Sequence, residues 1–170
     1  PLLVTGGFMK QMWAPTLHAI ADVLQVELEE IKIVYETDSL DHDIHVGIGA
    51  IKAGEASAVH FMLQGMSGGK PIVIVEHNDL VDMEAGKQWP RPYGPKNMAY
   101  RIEVEGDPSF TIEQNFSHYD GCKICAMAVI NSIPAVCDAS PGLKSSLEIP
   151  RYWSSNVRKD AKRASRGKPV

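Results

Sequence analysis

Three groups of side chains in this sequence have types and spacings that could do chemistry. Asp41, His42, Asp43 and His45 lie close together, and two imidazoles three apart beside carboxylates have the makings of a metal site. No Cys-x-x-Cys at ligand spacing and no His-Glu-x-x-His frame accompanies them. They read as a solvated polar loop, and no metal is expected. Cys122 and Cys125 form Cys-x-x-Cys, which can mark a redox pair at a helix start. That reading needs a strand–helix–strand setting, whereas an antiparallel hairpin precedes these two. At i and i+3 of an apolar helix they read instead as small buried side chains. The third group is Asn131 with Pro134, alone among Ala126, Met127, Ala128, Val129, Ile130, Ile133, Ala135 and Val136 apart from Ser132. A buried amide must find partners, and Pro134 lacks the N–H that would bond the carbonyl of Ile130. Two readings stay open. Asn131 repairs the backbone around the proline, which residue chemistry favours, or it offers its amide and a freed carbonyl to a ligand.

No Gly-x-Gly-x-x-Gly follows a strand, and there is no Gly-x-x-x-x-Gly-Lys-Ser/Thr. Thr5-Gly6-Gly7-Phe8 carries glycines without a preceding strand long enough for a phosphate-binding turn.

The elements that must position these groups are legible from periodicity. Met12, Leu17, Ala19, Ile20, Val23 and Leu24 place an amphipathic helix over 11–25, with Pro15 in its first turns. Residues 30–36 alternate as a strand, and a polar loop follows over 38–43. Residues 59–66 and 71–81 form a hairpin turned at Ser67-Gly68-Gly69-Lys70. After a proline-rich crossing at 89–95 comes a second hairpin. Tyr100, Ile102 and Val104 share one strand face, Phe110, Ile112 and Phe116 the next, with the turn at Gly106-Asp107-Pro108-Ser109. Residues 123–139 are apolar nearly all round and predict a buried helix ended by Pro141-Gly142. Strands run together between helices without strand–helix alternation. That order predicts an α+β domain with a largely antiparallel sheet of about five strands and helices on one face.

At 170 residues and 44% hydrophobic content the chain can bury a core without disulfides or metals. No apolar stretch approaches the roughly 18 residues of a membrane span, and no secretory signal opens the chain. The odd set Cys122, Cys125 and Cys137 points to a reducing compartment and a cytoplasmic protein. Residues 151–170 hold seven cations and one carboxylate, a net +6 that leaves the body at −10 within the total of −4. With aromatic residues only at Tyr152 and Trp153, this segment predicts a solvated tail over 154–170 behind a domain of 1–153. Neither a nucleic-acid nor a membrane partner is expected.

Both faces of Ile72-Val73-Ile74-Val75 are apolar, unlike a strand with one wet face. Two helices can cover one side, so the other needs a second copy or another domain. Val34, Met62, Val73 and Val75 are the expected face of a homodimer.

The run from Met127 through Cys137, then Ser140-Pro141-Gly142-Leu143 and Leu147-Glu148-Ile149-Pro150, resembles the carboxy-terminal signature of a dehydrogenase family. That family is related to dihydrodipicolinate reductase and includes 2,4-diaminopentanoate dehydrogenase and native amine dehydrogenases. Weaker similarity lies at Ala58-Val59-His60-Phe61 through Gly65, Glu76-His77, Trp89-Pro90 and from Tyr100 to Ser109. The resemblance spans about Trp13 to Pro150. It implies a two-domain oxidoreductase in which another half binds NAD or NADP and carries the catalytic carboxylate. This half would close over the nicotinamide, shape the pocket for a small-molecule substrate and form the dimer. The chemistry implied is reversible hydride transfer at an imine or carbonyl carbon. The family's opening strand and helix are not visible here, so the chain is expected to begin partway into that second domain. Within this frame Asn131, Ile133 and Pro134 are expected at the cofactor, and Gln114, His118, Cys125 and Met127 at the substrate. The alternative is a stand-alone dimeric binding module without catalysis.

Overall fold

The computed structural model describes residues 7–47 and 49–149. The expected basic tail lies outside them. The chain divides into two compact units, residues 1–91 and 92–170, taken here in turn.

In the first unit, helix α1 spans Phe8–Leu24 and strands follow at β1 Glu30–Ser39, β2 Ile44–Val46, β3 Gly49–Ile51, β4 Ala56–Ser67 and β5 Lys70–Leu80. β1, β4 and β5 pair antiparallel with β4 central, and β2 with β3 form a small hairpin just after the expected polar loop of 38–43. The β4–β5 turn is made by Gly68 and Gly69, both with positive φ (57° and 74°). Such a two-residue turn matches the twist of the flanking strands. α1 begins three residues before the expected start, so Pro15 sits in its interior rather than its first turns. The position is exposed, where water can serve the carbonyl left without a helical donor.

Met9, Trp13, Leu17 and Ala21, each four apart, form the side of α1 that meets the sheet. Met12, Ile20, Val23 and Leu24 of the expected stripe stay exposed. The register fixes which strand residues α1 covers, because directly paired residues share a face. Ile33, Leu63 and Val75 form one row, and Ile31, Gly65 and Val73 another. Leu63 (0% exposed) and Val73 (5%) belong to the core under α1. Val34 and Met62 pair in the alternate row, on the opposite face, with Glu76. The expected dimer face is therefore corrected: Val73 and Val75 are core, and only Val34 and Met62 face away from α1. Side chains alternate along a strand, so residues of odd and even position in these registers cannot share one surface. Ile72 and Ile74 remain exposed, leaving an apolar strip on the uncovered face.

One end of that uncovered face is closed by a strap, residues 82–91. Trp89 and Ala85 pack on Ala58, with Leu40 and Leu80 beside them. The strap is tied down by Gly86 N–H donating to Asp38 Oδ2 at 2.7 Å and Asn78 Nδ2 donating to the Pro90 carbonyl at 3.2 Å. Arg91 folds back to the Ala85 carbonyl at 2.6 Å. The Gly86 and Ser39 amides hold the Asp38 carboxyl below the usual carboxylate range. A depressed native pKa means stability that is complete above about pH 4, the free-carboxyl value, and lost as pH falls through the native one. Trp89 fluorescence should shift toward that of exposed indole in acid, and Asp38→Asn should weaken this acid dependence.

In the second unit, β6 (Met98–Val104) and β7 (Phe110–Phe116) form an antiparallel hairpin followed by α2, His118–Asp138. The five long strands are those read from the sequence, and the α+β class with antiparallel pairing holds. The expectation of a buried terminal helix does not: of α2, only Gly121 is buried. A two-stranded hairpin is too narrow to cover an all-round apolar helix of 21 residues.

Candidate functional site

α2 is started by Ser117, whose hydroxyl accepts from the Asp120 amide at 3.3 Å and donates to Asp120 Oδ2 at 2.7 Å. That contact holds the Asp120 carboxyl below its ordinary range. Removing the cap, Ser117→Ala, should cost about 1 kcal/mol of α2 stability, read as a lower midpoint in urea.

Gly121 lets the first turn approach the hairpin. A Cβ there would lie 2.9 Å from Phe116 Cε2, so any larger residue pushes α2 off the ring. One turn on, the same side of α2 brings Cys125 to Tyr100, sulfur to phenol oxygen at 3.7 Å. The Tyr100 ring packs tilted against Phe116 at 5.0 Å between centroids, and Gln114 is its cross-strand partner. Hydrogen bonding to Cys125, then burial, raises the Tyr100 pKa. A raised phenol stays protonated at neutral pH. The group can donate to a carbonyl oxygen or imine nitrogen, with the Gln114 carboxamide beside it.

The structure thus brings Gln114 and Cys125 together, around a tyrosine that sequence reading left without a role. Tyr100 was legible only as a strand residue; its meeting with Cys125 depends on the angle of α2. His118 begins α2 on the side of Cys125 and is exposed. Met127, two residues past Cys125, is turned about 200° away at the helical pitch and does not join this patch. It shares a side instead with Asn131 and Pro134, at i+4 and i+7. Ile133 lies about 200° round from Asn131 at the same pitch.

Asn131 is half-buried, and its amide makes no hydrogen bond among the described residues. The hydroxyl of its neighbour Ser132 donates to the Val129 carbonyl at 2.7 Å, one residue before the Ile130 carbonyl that Pro134 leaves without a helical donor. Around Asn131, Val129, Ile130, Ile133 and Val136 are all more than half exposed. α2 is long and apolar enough to cross a membrane by length and composition, with a mean hydropathy of 1.3. The expectation that no stretch approaches that limit is corrected accordingly. Among the described residues no group of His, Cys, Asp and Glu is arranged to hold a metal, and His42 pairs with Asp41 at 2.9 Å.

Comparison with known proteins completes this picture. Residues 12–163 match the family described as the 2,4-diaminopentanoate dehydrogenase C-terminal domain. Over 157 residues the chain is 26% identical to a protein named amine dehydrogenase from Streptomyces virginiae, covering 88% of this chain and 44% of that protein. Its fold is similar to the solved structure of an amine dehydrogenase from Mycobacterium smegmatis, with a TM-score of 0.60 at 18% identity over 81% of this chain and 38% of that one. The chain spans less than half the length of these relatives. On the extent of the family match, the chain belongs to the family of 2,4-diaminopentanoate dehydrogenase C-terminal domains.

Proposed function

We propose that this chain is the substrate-binding and dimerisation domain of an NAD(P)-dependent oxidoreductase acting at a C–N or C=O centre. The observation that carries the reading is Asn131, a partly buried residue whose amide has no hydrogen-bond partner among the described residues, on an exposed apolar helix. An amide so placed offers a donor and an acceptor to a polar group arriving from outside the unit. In this reading the side of α2 holding Met127, Asn131 and Pro134 meets the nicotinamide. The Tyr100, Gln114 and Cys125 patch meets the substrate, where the phenol donates to the oxygen or nitrogen of the reacting carbon. When bound, the cofactor supplies the hydride. This chain's residues orient the carbon and exclude water.

The sequence has no glycine-rich phosphate turn, so the nucleotide's phosphates are held by another domain. The uncovered strip of Val34, Met62, Ile72 and Ile74 serves the contact with a second copy, a pairing that hides apolar area. Three cysteines without disulfide partners accord with a reducing, cytoplasmic setting.

Calorimetric titration of the chain by itself with NADH and NADPH should show no binding at micromolar concentrations. Joined in one polypeptide to a nucleotide-binding half of the family, it should acquire such binding, and Asn131→Ala should weaken it by roughly tenfold, or about 1.4 kcal/mol. Micromolar binding by the isolated chain would contradict this division of labour. So would a joined Asn131→Ala protein that binds as tightly as its parent.

A further inference from the structure

The first unit carries a polar cluster that the function above does not use. On the sheet face opposite α1, His60 of β4 is 6% exposed, directly opposite Glu36 of β1 and Asn78 of β5. Its Nδ1 lies 3.3 Å from Glu36 Oε2 and its Nε2 3.1 Å from Glu76 Oε1. The indole N–H of Trp89, on the strap, donates to the same Glu36 oxygen at 2.9 Å. The two rings lie 5.4 Å apart between centroids.

The proton count of this trio is constrained by its geometry. A carboxylate is an acceptor only, and a neutral imidazole has one N–H and one lone pair. Both contacts can be hydrogen bonds only while the trio holds two bridging protons at a net charge of −1. They sit either both on the imidazole or one on it and one on a carboxyl. Loss of one proton leaves a lone pair of the buried ring facing an ionised carboxylate at hydrogen-bond distance. Such an arrangement is costly unless a group moves. Glu36 is the group free to move, because its side chain is 54% exposed against 31% for Glu76. When it turns to water, Trp89 loses its acceptor.

We propose that Glu36, His60 and Glu76 form a proton-dependent latch that holds the Trp89 strap on the sheet and releases it as the trio loses a proton. The proposal stands on this geometry and does not depend on the dehydrogenase reading. The charged groups around the latch are engaged elsewhere. On β1, Asp38 takes the Gly86 amide and Lys32 approaches Glu30. On the strap, Lys87 pairs with Glu84, Asp82 accepts from the Glu84 amide and Arg91 bonds the Ala85 carbonyl. On β5, His77 pairs with Asp79, and its ring stacks with Phe61 under α1.

The test uses the full chain with Trp13→Phe and Trp153→Phe, which leaves Trp89 as the sole indole and removes the Trp13 ring that lies against His77. Acrylamide quenching of Trp89 is followed from roughly pH 5 to 8.5, the range in which histidine-containing clusters titrate. Trp89 should be protected at the low end, and its quenching constant should rise roughly twofold or more through a single transition as the strap opens. His60→Gln should abolish the transition. Glu36→Gln should abolish it too, because the amide at position 36 loses no proton and its oxygen, at the place shared by His60 Nδ1 and Trp89 Nε1, accepts from Trp89 at every pH. Should far-ultraviolet circular dichroism show His60→Gln unfolded, Glu36→Gln decides alone. Quenching that does not change with pH overturns the latch, as does an unaltered transition in the folded variants.

Discussion

Val73→Asp should unfold this protein, while Ile74→Asp, one residue along the same strand, should leave it folded. Val73 is 5% exposed in the core beneath α1, in a row with Ile31 and Gly65. A carboxylate there joins Met9, Leu17, Ala21, Phe61 and Leu63, whose side chains carry neither a cation nor a hydrogen-bond donor. Its burial should cost about 4 kcal/mol or more, close to the whole stability of a small domain. Ile74 is 49% exposed on the uncovered face, opposite Gln64. A charge at that position should change stability by no more than about 0.5 kcal/mol. Its effect falls on association instead: if the uncovered strip meets a second copy, Ile74→Asp should shift the protein toward monomer in sedimentation. Urea unfolding of both variants checks the assignment of faces. A cooperative, near-normal midpoint for Val73→Asp would show that α1 does not cover this face.

Gly86→Ala should dislodge the strap. Gly86 has φ +61°, a left-handed conformation that costs an L residue about 1 kcal/mol or more. A Cβ would also collide with the six-membered ring of Trp89 and approach Leu80 Cδ2 at 2.8 Å. Trp89 cannot yield cheaply, since it is buried and bonded to Glu36. The combined penalty should be about 2–4 kcal/mol, expressed as a red-shifted Trp89 emission with the β1–β4–β5 pairing retained. An alanine variant with native emission would mean that the strap is looser than its contacts imply.

Much of this fold could be read from the order of residues because the relevant signals are local. Alternation marked the long strands, and Gly68-Gly69 between two β-rich runs marked the turn that the register places there. Facing was harder. The apolar content on both sides of Ile72 to Val75 marked two apolar faces, of which α1 covers one, but which residues belong together depends on pairing across strands. Val34 and Val73 look alike in sequence and lie on opposite sides of the sheet. For α1, Met12 and Ile20 have the apolar character of a core stripe, yet Met9, Trp13, Leu17 and Ala21 pack inward. Several helical stripes were available, and the sheet selected one.

The sites divide in the same way. Asn131 could be singled out because a lone amide stands out in an apolar run. Tyr100 could not, since its relation to Cys125 and Gln114 is created by a hairpin register and a helix crossing that no local spacing encodes. The His60 cluster was equally hidden. Glu36, His60, Glu76 and Trp89 come from three strands and a loop, and only the pairing of β1 and β5 with β4 gathers them.

The central claim, that this chain supplies the substrate side of a dehydrogenase, is tested most directly by turnover. The measurement is steady-state oxidation of NADH or NADPH, with a ketone and ammonium, by the chain joined to a nucleotide-binding half of its family. Tyr100→Phe should lower kcat/KM for the carbonyl substrate by roughly tenfold, the loss of about 1.4 kcal/mol of transition-state hydrogen bonding, with KM for the nicotinamide unchanged. Turnover that is equal in the Tyr100→Phe protein, or equal when this chain is omitted, would contradict the account.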